Sequence, residues 1–142
     1  MEYSKQGHCV YYTKYHIVLV SKYRRQIFNP GVIEYLNYVI KRIHDHYPEV
    51  IVEKLNGESD HIHLFVSVPP KLSVSMAVSI IKANTATALR KRFKYLDSIY
   101  WGRVGIWSDG YFVSTAGINE EIIKRYIERQ WKEDSGQAKL EL

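Results

Sequence analysis

The sequence predicts an α+β domain, in which helices cover one face of an antiparallel sheet and a further helix follows the last strand. Two observations predict this class. Short runs rich in β-branched and aromatic residues alternate along the chain with longer segments that repeat apolar residues at helical spacing. Turn signals at 29–31 and 57–60 separate these segments.

The first half of the chain carries three predicted strands and one predicted helix. Residues 11–23 form the first strand, because they are rich in β-branched and aromatic side chains. The Asn-Pro-Gly sequence at 29–31 opens a helix that Pro48 closes. Residues 50–56 and 61–68 then form a hairpin, since the GESD sequence between them favours a turn.

The second half alternates helix, strand and helix. Ser73 suits the N-cap of a helix that runs to about Arg92. A fourth strand lies near 110–116, and Asn119 caps a last helix over 120–133, whose first turn is acidic. The order of the first six elements is that of the ferredoxin-like fold, which RRM domains share, with two helices on one face of the sheet.

Length and composition fit one globular domain over residues 1–142, with 46% hydrophobic and 25% charged residues. No run approaches the roughly 20 apolar residues that cross a bilayer, and the N-terminal segment lacks the apolar core of a secretory signal. We therefore expect a cytoplasmic protein with no membrane partner. Residues from about 134 to 142 are expected to fray.

Two basic clusters, at 22–25 (KYRR) and 90–94 (RKRFK), set cations beside aromatic rings in a chain of net charge +5. Cations neutralise phosphates and rings stack on unpaired bases, which is the combination that single-strand binders use. A basic run at a helix end is equally typical of a solvated terminus. The candidate DNA-binding cations are Lys22, Arg24, Arg25, Arg90 and Arg92.

Two histidines begin the second strand of the predicted hairpin. His61 and His63 point to the same face of a strand, with Cα atoms roughly 7 Å apart. Alternation turns Ile62 and Leu64 to the opposite face, toward the core. The pair can converge on one metal ion or one phosphate, or can simply cap a half-exposed strand, and the spacing alone leaves both interpretations open.

The last helix carries Tyr126 and Gln130 on one face, because residues four apart stack along a helix. Taken alone, this pair favours an amphipathic helix that docks on the sheet, with Tyr126 as an interfacial aromatic.

Together these motifs resemble the small single-tyrosine transposases of the HUH nuclease superfamily, which belong to insertion sequences that move as single-stranded DNA. The segments DHIHLFVSVPP, IIKANTATALRKRF, IWSDGYFV and YIERQ carry the resemblance, which runs from about residue 15 to residue 130. It implies a single HUH transposase domain that cleaves and rejoins single-stranded DNA at hairpin-forming element ends, through a 5′-phosphotyrosine.

The resemblance implies a role for each matching residue. Tyr126 matches the nucleophile, while His61, His63 and Gln130 match the ligands of a Mg²⁺ or Mn²⁺ ion. Asp60 either orients His61 or merely ends the hairpin turn.

The resemblance also implies a homodimer in which the tyrosine helix of one subunit completes the histidine site of the other. Gly117 is then the expected hinge between strand and helix. Edge-strand pairing and the region of Trp101 and Trp107 are the candidate interfaces. Lys82 lies where family members also carry a lysine, and is either a DNA contact or a solvated side chain.

Two alternatives remain open. A non-catalytic module that binds single-stranded DNA or RNA would use the same fold, as RRM domains do, and would be indifferent to metal. A host-recruited relative that acts on genomic repeats would carry an identical catalytic set, so the sequence separates it poorly.

Overall fold

The structure is a computed structural model that describes residues 3–101, 105–115 and 120–136. Its main sheet is antiparallel and has the strand order β4-β5-β3-β6. These strands are β3 (Lys14–Val20), β4 (Ile51–Gly57), β5 (His61–Ser67) and β6 (Phe112–Ser114). A separate hairpin, formed by β1 (Ser4–Gln6) and β2 (Cys9–Tyr11), precedes them. The predicted ferredoxin-like fold is confirmed.

The helices are α1 (Pro30–His46), α2 (Val74–Arg92), the short α3 (Leu96–Ile99) and α4 (Glu120–Asp134). Two predicted caps are present, because Asn29 Oδ1 accepts from the Val32 N–H and Ser73 Oγ accepts from the Met76 N–H, both at 3.0 Å. The predicted cap at Asn119 lies outside the described residues. Within those residues, no helix is long and apolar enough to cross a membrane.

One face of the sheet packs against α1 and α2. Ile17 and Leu19 of β3, together with Ile62 and Leu64 of β5, are fully buried there. The helices contribute Val32, Leu36, Ile40 and Ile43 from α1, and Ala77, Val78, Ile81 and Leu89 from α2. The predicted orientation of Ile62 and Leu64 toward the core is therefore confirmed.

The opposite face of the sheet carries α4. Val18 and Val20 of β3 form a second, smaller core with Ile123 and Ile127. Two helices on one face of a ferredoxin-like sheet leave the other face open. Here the last helix covers β3 on that face, and the histidines of β5 stand beside the contact.

Three elements differ from the predictions. The strand predicted over 11–23 is broken after β2 and ends at Val20, where a tight turn over Lys22–Arg24 begins. The short helix α3 was not predicted. Asp134, assigned to the fraying tail, is the last residue of α4 and its carboxylate is 2% exposed; residues 137–142 lie outside the described residues.

Trp107 belongs to the core rather than to an exposed surface. Its ring stacks on Phe28 with centroids 5.3 Å apart, and its Nε1–H donates to Thr85 Oγ1 over 2.9 Å. Trp107 therefore packs within its own chain, while an interface in the region of Trp101 and Trp107 stays a prediction. Trp101, in contrast, is 79% exposed.

Substitution Thr85→Val is expected to lower the free energy of unfolding by about 1–3 kcal/mol, because valine keeps the shape but leaves the buried Trp107 N–H without an acceptor. Urea unfolding followed by tryptophan fluorescence measures the change. The matched control is Thr87→Val on the exposed side of the same helix, which should stay within about 0.5 kcal/mol of the wild type. Equal effects of the two substitutions would contradict the assigned hydrogen bond.

Candidate functional site

His61 and His63 stand on the α4 side of the sheet. The register of β5 on β3 pairs His61 with Val20 and His63 with Val18. Their Nε2 atoms are 3.2 Å apart. Two donors bound side by side to one cation, with bonds of about 2.0–2.2 Å, are themselves about 3 Å apart. The pair therefore has the separation that one metal ion requires.

Asp60 holds this arrangement from behind. One carboxylate oxygen accepts from His61 Nδ1 and the other from Arg24 Nε, each over 2.7 Å. A proton held on Nδ1 leaves the Nε2 lone pair of His61 facing His63. Burial alone would raise the pKa of Asp60, but the hydrogen bonds from His61 and Arg24 outweigh it and lower that pKa. Of the two interpretations given for Asp60, this geometry matches the orienting one.

Tyr126 lies on the side of α4 that faces β6, whereas the histidines of β5 lie on its opposite side. Its ring centroid is 6.0 Å from that of Phe112. Its hydroxyl is buried and, among the residues that the structure describes, has no hydrogen-bond partner. Burial raises the pKa of Tyr126, and the nearby carboxylates of Glu133 and Asp134 raise it further. The phenol is therefore neutral in this position.

Gly110 lies directly beneath the side chains of Tyr126 and Gln130. A Cβ atom added to Gly110 would lie 2.8 Å from Gln130 Oε1 and 3.2 Å from the Tyr126 hydroxyl. Gln130 is itself only 5% exposed. The absence of a side chain at Gly110 is thus what lets both functional groups approach this point.

The site consists of two halves, one on each side of α4. His61 borders a cavity of about 510 Å³ that Ile123 and Ile127 also line, whereas Tyr126 and Gln130 meet over Gly110. The structure therefore brings the two histidines together, and the tyrosine and the glutamine together. The predicted hinge Gly117 lies outside the described residues.

Two of the predicted DNA-binding cations are engaged with carboxylates close to the site. Lys22 Nζ lies 3.6 Å from Asp109 and 3.5 Å from Asp134, with its side chain only 16% exposed. Arg24 pairs with Asp60 but keeps 41% of its side chain exposed, beside His61. Arg24 is therefore better placed than Lys22 to meet a phosphate.

The remaining predicted cations are Lys82, Arg25, Arg90 and Arg92. Lys82 Nζ donates to the carbonyl oxygens of Ser108 (2.7 Å) and Gly110 (2.8 Å), and burial lowers its pKa. This contact is neither of the two roles considered for Lys82. Three arginines complete the set: Arg25 is exposed, Arg90 bonds Asp97 and the Tyr100 carbonyl, and Arg92 lies over Tyr35 and Phe93.

Sequence reasoning missed three residues of this region, namely Ser108, Gly110 and Asp134. Asp134 continues the row of Tyr126 and Gln130 at a spacing of four, so helical periodicity was a signal that could have found it. Gly110 and Ser108 carry no periodic signal, because only the tertiary structure brings them under α4.

A ferredoxin-like sheet with a histidine pair on a central strand, and a tyrosine helix on the same face, defines the class of single-tyrosine HUH transposases. The chain belongs to the family of IS200-like transposases, which it matches over residues 9–130. It is 33% identical to the transposase of insertion sequence IS200 from Salmonella typhimurium over 128 residues, or 90% of this chain and 83% of that protein. It is 28% identical to the ISDra2 transposase TnpA of Deinococcus radiodurans, over 92% of each chain.

Solved structures agree with the fold. A crystal structure described as that of a transposase from Deinococcus radiodurans R1 superposes with a TM-score of 0.78 and 26% identity, over 89% of this chain and 97% of that one. A REP-associated tyrosine transposase bound to a REP hairpin superposes with a TM-score of 0.52 over 85% of this chain and 68% of that one; at 14% identity this likeness concerns the fold alone.

Substitution Gly110→Ala is expected to lower the free energy of unfolding by about 1 kcal/mol relative to Gly105→Ala, because the new methyl group displaces the Gln130 amide from a closely packed position. The loss is at the low end for overpacking, since the amide is the end of a flexible side chain. Gly105 is the matched control, because a Cβ there meets nothing within 4 Å and gains the same stiffening of the unfolded chain. Urea unfolding of both variants gives the difference, and identical midpoints would contradict the close approach at Gly110.

Proposed function

We propose that this transposase cleaves and rejoins single-stranded DNA at hairpin-forming element ends, with Tyr126 as the nucleophile and a 5′-phosphotyrosine as the intermediate. The observation that carries the proposal is the convergence of His61 and His63, with Nε2 atoms 3.2 Å apart, on the face that the Tyr126 helix covers. Phosphodiester transfer needs two side chains that can bind one metal ion and a nucleophile on the same face of the sheet.

His61, His63 and Gln130 would hold a Mg²⁺ or Mn²⁺ ion. Two neutral imidazoles and one amide oxygen add no negative charge, so the remaining coordination positions suit phosphate oxygens and water. A bound ion would supply Lewis acidity toward a non-bridging oxygen of the scissile phosphate. Because histidine is a softer ligand than carboxylate, we expect Mn²⁺ to support the reaction at least as well as Mg²⁺.

Tyr126 supplies the covalent step. Its phenol oxygen bonds to phosphorus as the bond from phosphorus to the 3′ oxygen breaks, the phenol loses its proton, and the departing 3′ oxygen gains one. The product is a 5′-phosphotyrosine and a free 3′-OH. Because the phosphodiester bond energy stays in the tyrosine link, attack by another 3′-OH reverses the reaction without ATP.

The separation of the two half-sites supports a homodimer with active sites completed in trans. In one chain, α4 packs over Val18 and Val20 and keeps Tyr126 on the side of Phe112, away from the histidines. An α4 helix from a second copy can bring its tyrosine and glutamine to the exposed side of His61. Either exchange of α4 between two copies or a shift of α4 within one chain would bring Tyr126 and Gln130 to the two histidines.

The basic surface beside the histidines suits the DNA backbone. Arg24 and Lys124 line the same cavity as His61, together with one carboxylate, that of Glu121, and cations beside a phosphodiester neutralise its phosphates. A purely RNA- or DNA-binding RRM-like role is disfavoured, because α4 covers the sheet at Val18 and Val20, where such modules expose stacking aromatics. A host-recruited enzyme acting on genomic repeats would use the same residues.

Substitution Tyr126→Phe is expected to abolish covalent attachment to DNA, because phenylalanine lacks the attacking oxygen. The assay incubates the protein with Mn²⁺ and labelled single-stranded DNA from its own genomic flanks, and detects a denaturant-resistant adduct. Tyr47→Phe, at an exposed tyrosine, is the matched control and should retain the adduct. An adduct with Tyr126→Phe, or none with wild type at several metal concentrations, would overturn the assigned mechanism.

The same assay tests placement in trans. Neither His61→Ala nor Tyr126→Phe alone should form the adduct, whereas a mixture of the two variants should recover part of it on the His61→Ala chain. If the mixture stays inactive while a wild-type dimer reacts, the sites are completed within one chain.

Substitution Asp60→Asn is expected to weaken Mn²⁺ binding by about 10- to 100-fold, because the carboxylate that orients the His61 ring is lost. Calorimetric titration of the free protein with Mn²⁺ measures this without DNA. Glu58→Gln removes a charge from an exposed position in the same turn and should leave the affinity unchanged. Equal Mn²⁺ affinities in the two variants would show that Asp60 does not support metal binding.

A further inference from the structure

The segment Ser108–Gly110, which we call the α4 seat, lies beneath the last two turns of α4. We propose that Lys82 and Asp134 are positioning residues: Lys82 fixes the seat, Asp134 grips it from α4, and together they set where Tyr126 and Gln130 stand. The inference rests on the proposed function, in which Tyr126 is the nucleophile.

Lys82 fixes the seat from the opposite layer of the fold. It projects from α2, and its ammonium group donates to two carbonyl oxygens, those of Ser108 at 2.7 Å and Gly110 at 2.8 Å. A partly buried ammonium group is costly unless hydrogen bonds compensate it. The two carbonyls supply that compensation, so the ammonium group and the shape of the seat stabilise each other.

Asp134 binds the seat from the side of α4. Its carboxylate is 2% exposed and accepts from Ser108 Oγ over 2.6 Å and from the Tyr23 N–H over 2.9 Å. Lys22 Nζ lies 3.5 Å from the same carboxylate. A negative charge at the C-terminal end of a helix opposes the helix dipole. Asp134 is therefore held in place by these partners and not by any preference of the helix itself.

Because α4 is rigid, fixing Asp134 also fixes Tyr126 and Gln130 on the same helix. Tyr126, Gln130 and Asp134 follow one another at intervals of four, so each lies about 6 Å along the axis from the next. Gly110, the last residue of the seat, meets the side chains of both Tyr126 and Gln130. With Asp134 fixed at one end and Gly110 in contact further along, α4 has little freedom to slide or rotate over the sheet.

The test measures the exposure of Tyr126 directly in the full-length protein without DNA. Tetranitromethane nitrates accessible tyrosines, and mass spectrometry reads the rate at each one. Tyr95, which is 46% exposed, and Tyr100, which is 1% exposed, are internal references. In the wild type, Tyr126 should react about as slowly as Tyr100.

The variants are Lys82→Met and Asp134→Ala, with Lys91→Met on the exposed side of α2 and Glu133→Ala beside Asp134 as matched controls. Loss of a charged hydrogen bond should raise the nitration rate of Tyr126 by about tenfold in both test variants, while Tyr100 keeps its wild-type rate. The proposal is overturned if Tyr126 stays within about twofold of wild type in Asp134→Ala. Should Tyr100 also become reactive in Lys82→Met, that variant has unfolded and Asp134→Ala decides alone, because it changes only the end of a helix.

Adduct formation separates this inference from the proposed function. Both test variants should speed the covalent step by about tenfold at saturating DNA, because the seat holds Tyr126 on the side of Phe112, away from the histidines. The half-saturating DNA concentration should stay unchanged, since neither residue binds the strand in this role. A wild type that forms the Tyr126 adduct, with variants unchanged in nitration and in rate, refutes the seat and leaves the function intact. Variants that expose Tyr126 in a protein whose wild type forms no adduct uphold the seat and refute the function.

Discussion

The pairing register between β3 and β5 is the constraint on which the site depends. Because side chains alternate along a strand, a slip of one residue would turn His61 and His63 into the core and expose Ile62 and Leu64. Both apolar residues are almost completely buried under α1 and α2, so such a slip would cost the burial of both side chains at once, roughly 1.5–3 kcal/mol for each. The packing of one face of β5 therefore holds the chemistry of the other face in place.

A short turn after β3 links the two half-sites. Tyr23 and Arg24 adopt left-handed backbone conformations, with φ of 58° and 54°, which cost about 1–3 kcal/mol for residues with a side chain. The turn aims the Arg24 guanidinium at Asp60, behind His61, and the Tyr23 N–H at Asp134, at the end of α4. Two buried carboxylates thus offset the strain, and the histidine pair and the tyrosine helix share one anchor.

The parts of the site that sequence alone predicted are those that local periodicity determines. Alternation along β5 placed the histidines on one face, and helical spacing placed Tyr126 with Gln130. The sequence singled out Lys82 but did not predict its contacts with the carbonyls of Ser108 and Gly110, because those contacts join segments distant in the chain. The close approach at Gly110 escaped prediction on the same ground. The burial of Trp107 also depends on a distant segment, since Thr85, its hydrogen-bond partner, lies in α2. The fold was largely predictable because its turns and caps are encoded locally. The packing of α4 on the sheet depends instead on contacts between distant segments, which no local pattern reveals.

The energetic position of Tyr126 follows from these contacts. Among the described residues its buried hydroxyl has no hydrogen-bond partner, a condition that costs about 1–3 kcal/mol, and burial also keeps the phenol neutral by raising its pKa. The apolar packing of Ile123 and Ile127 and the grip of Asp134 sustain this arrangement. A state in which the hydroxyl meets a polar partner, such as a phosphate oxygen beside the histidines, regains that cost. The same helix is therefore secured by its C-terminal end and its apolar stripe, while the Tyr126 hydroxyl gains from any move toward a polar partner. In the proposed role of Tyr126 as nucleophile, this balance protects the hydroxyl at rest and lets it move during strand transfer.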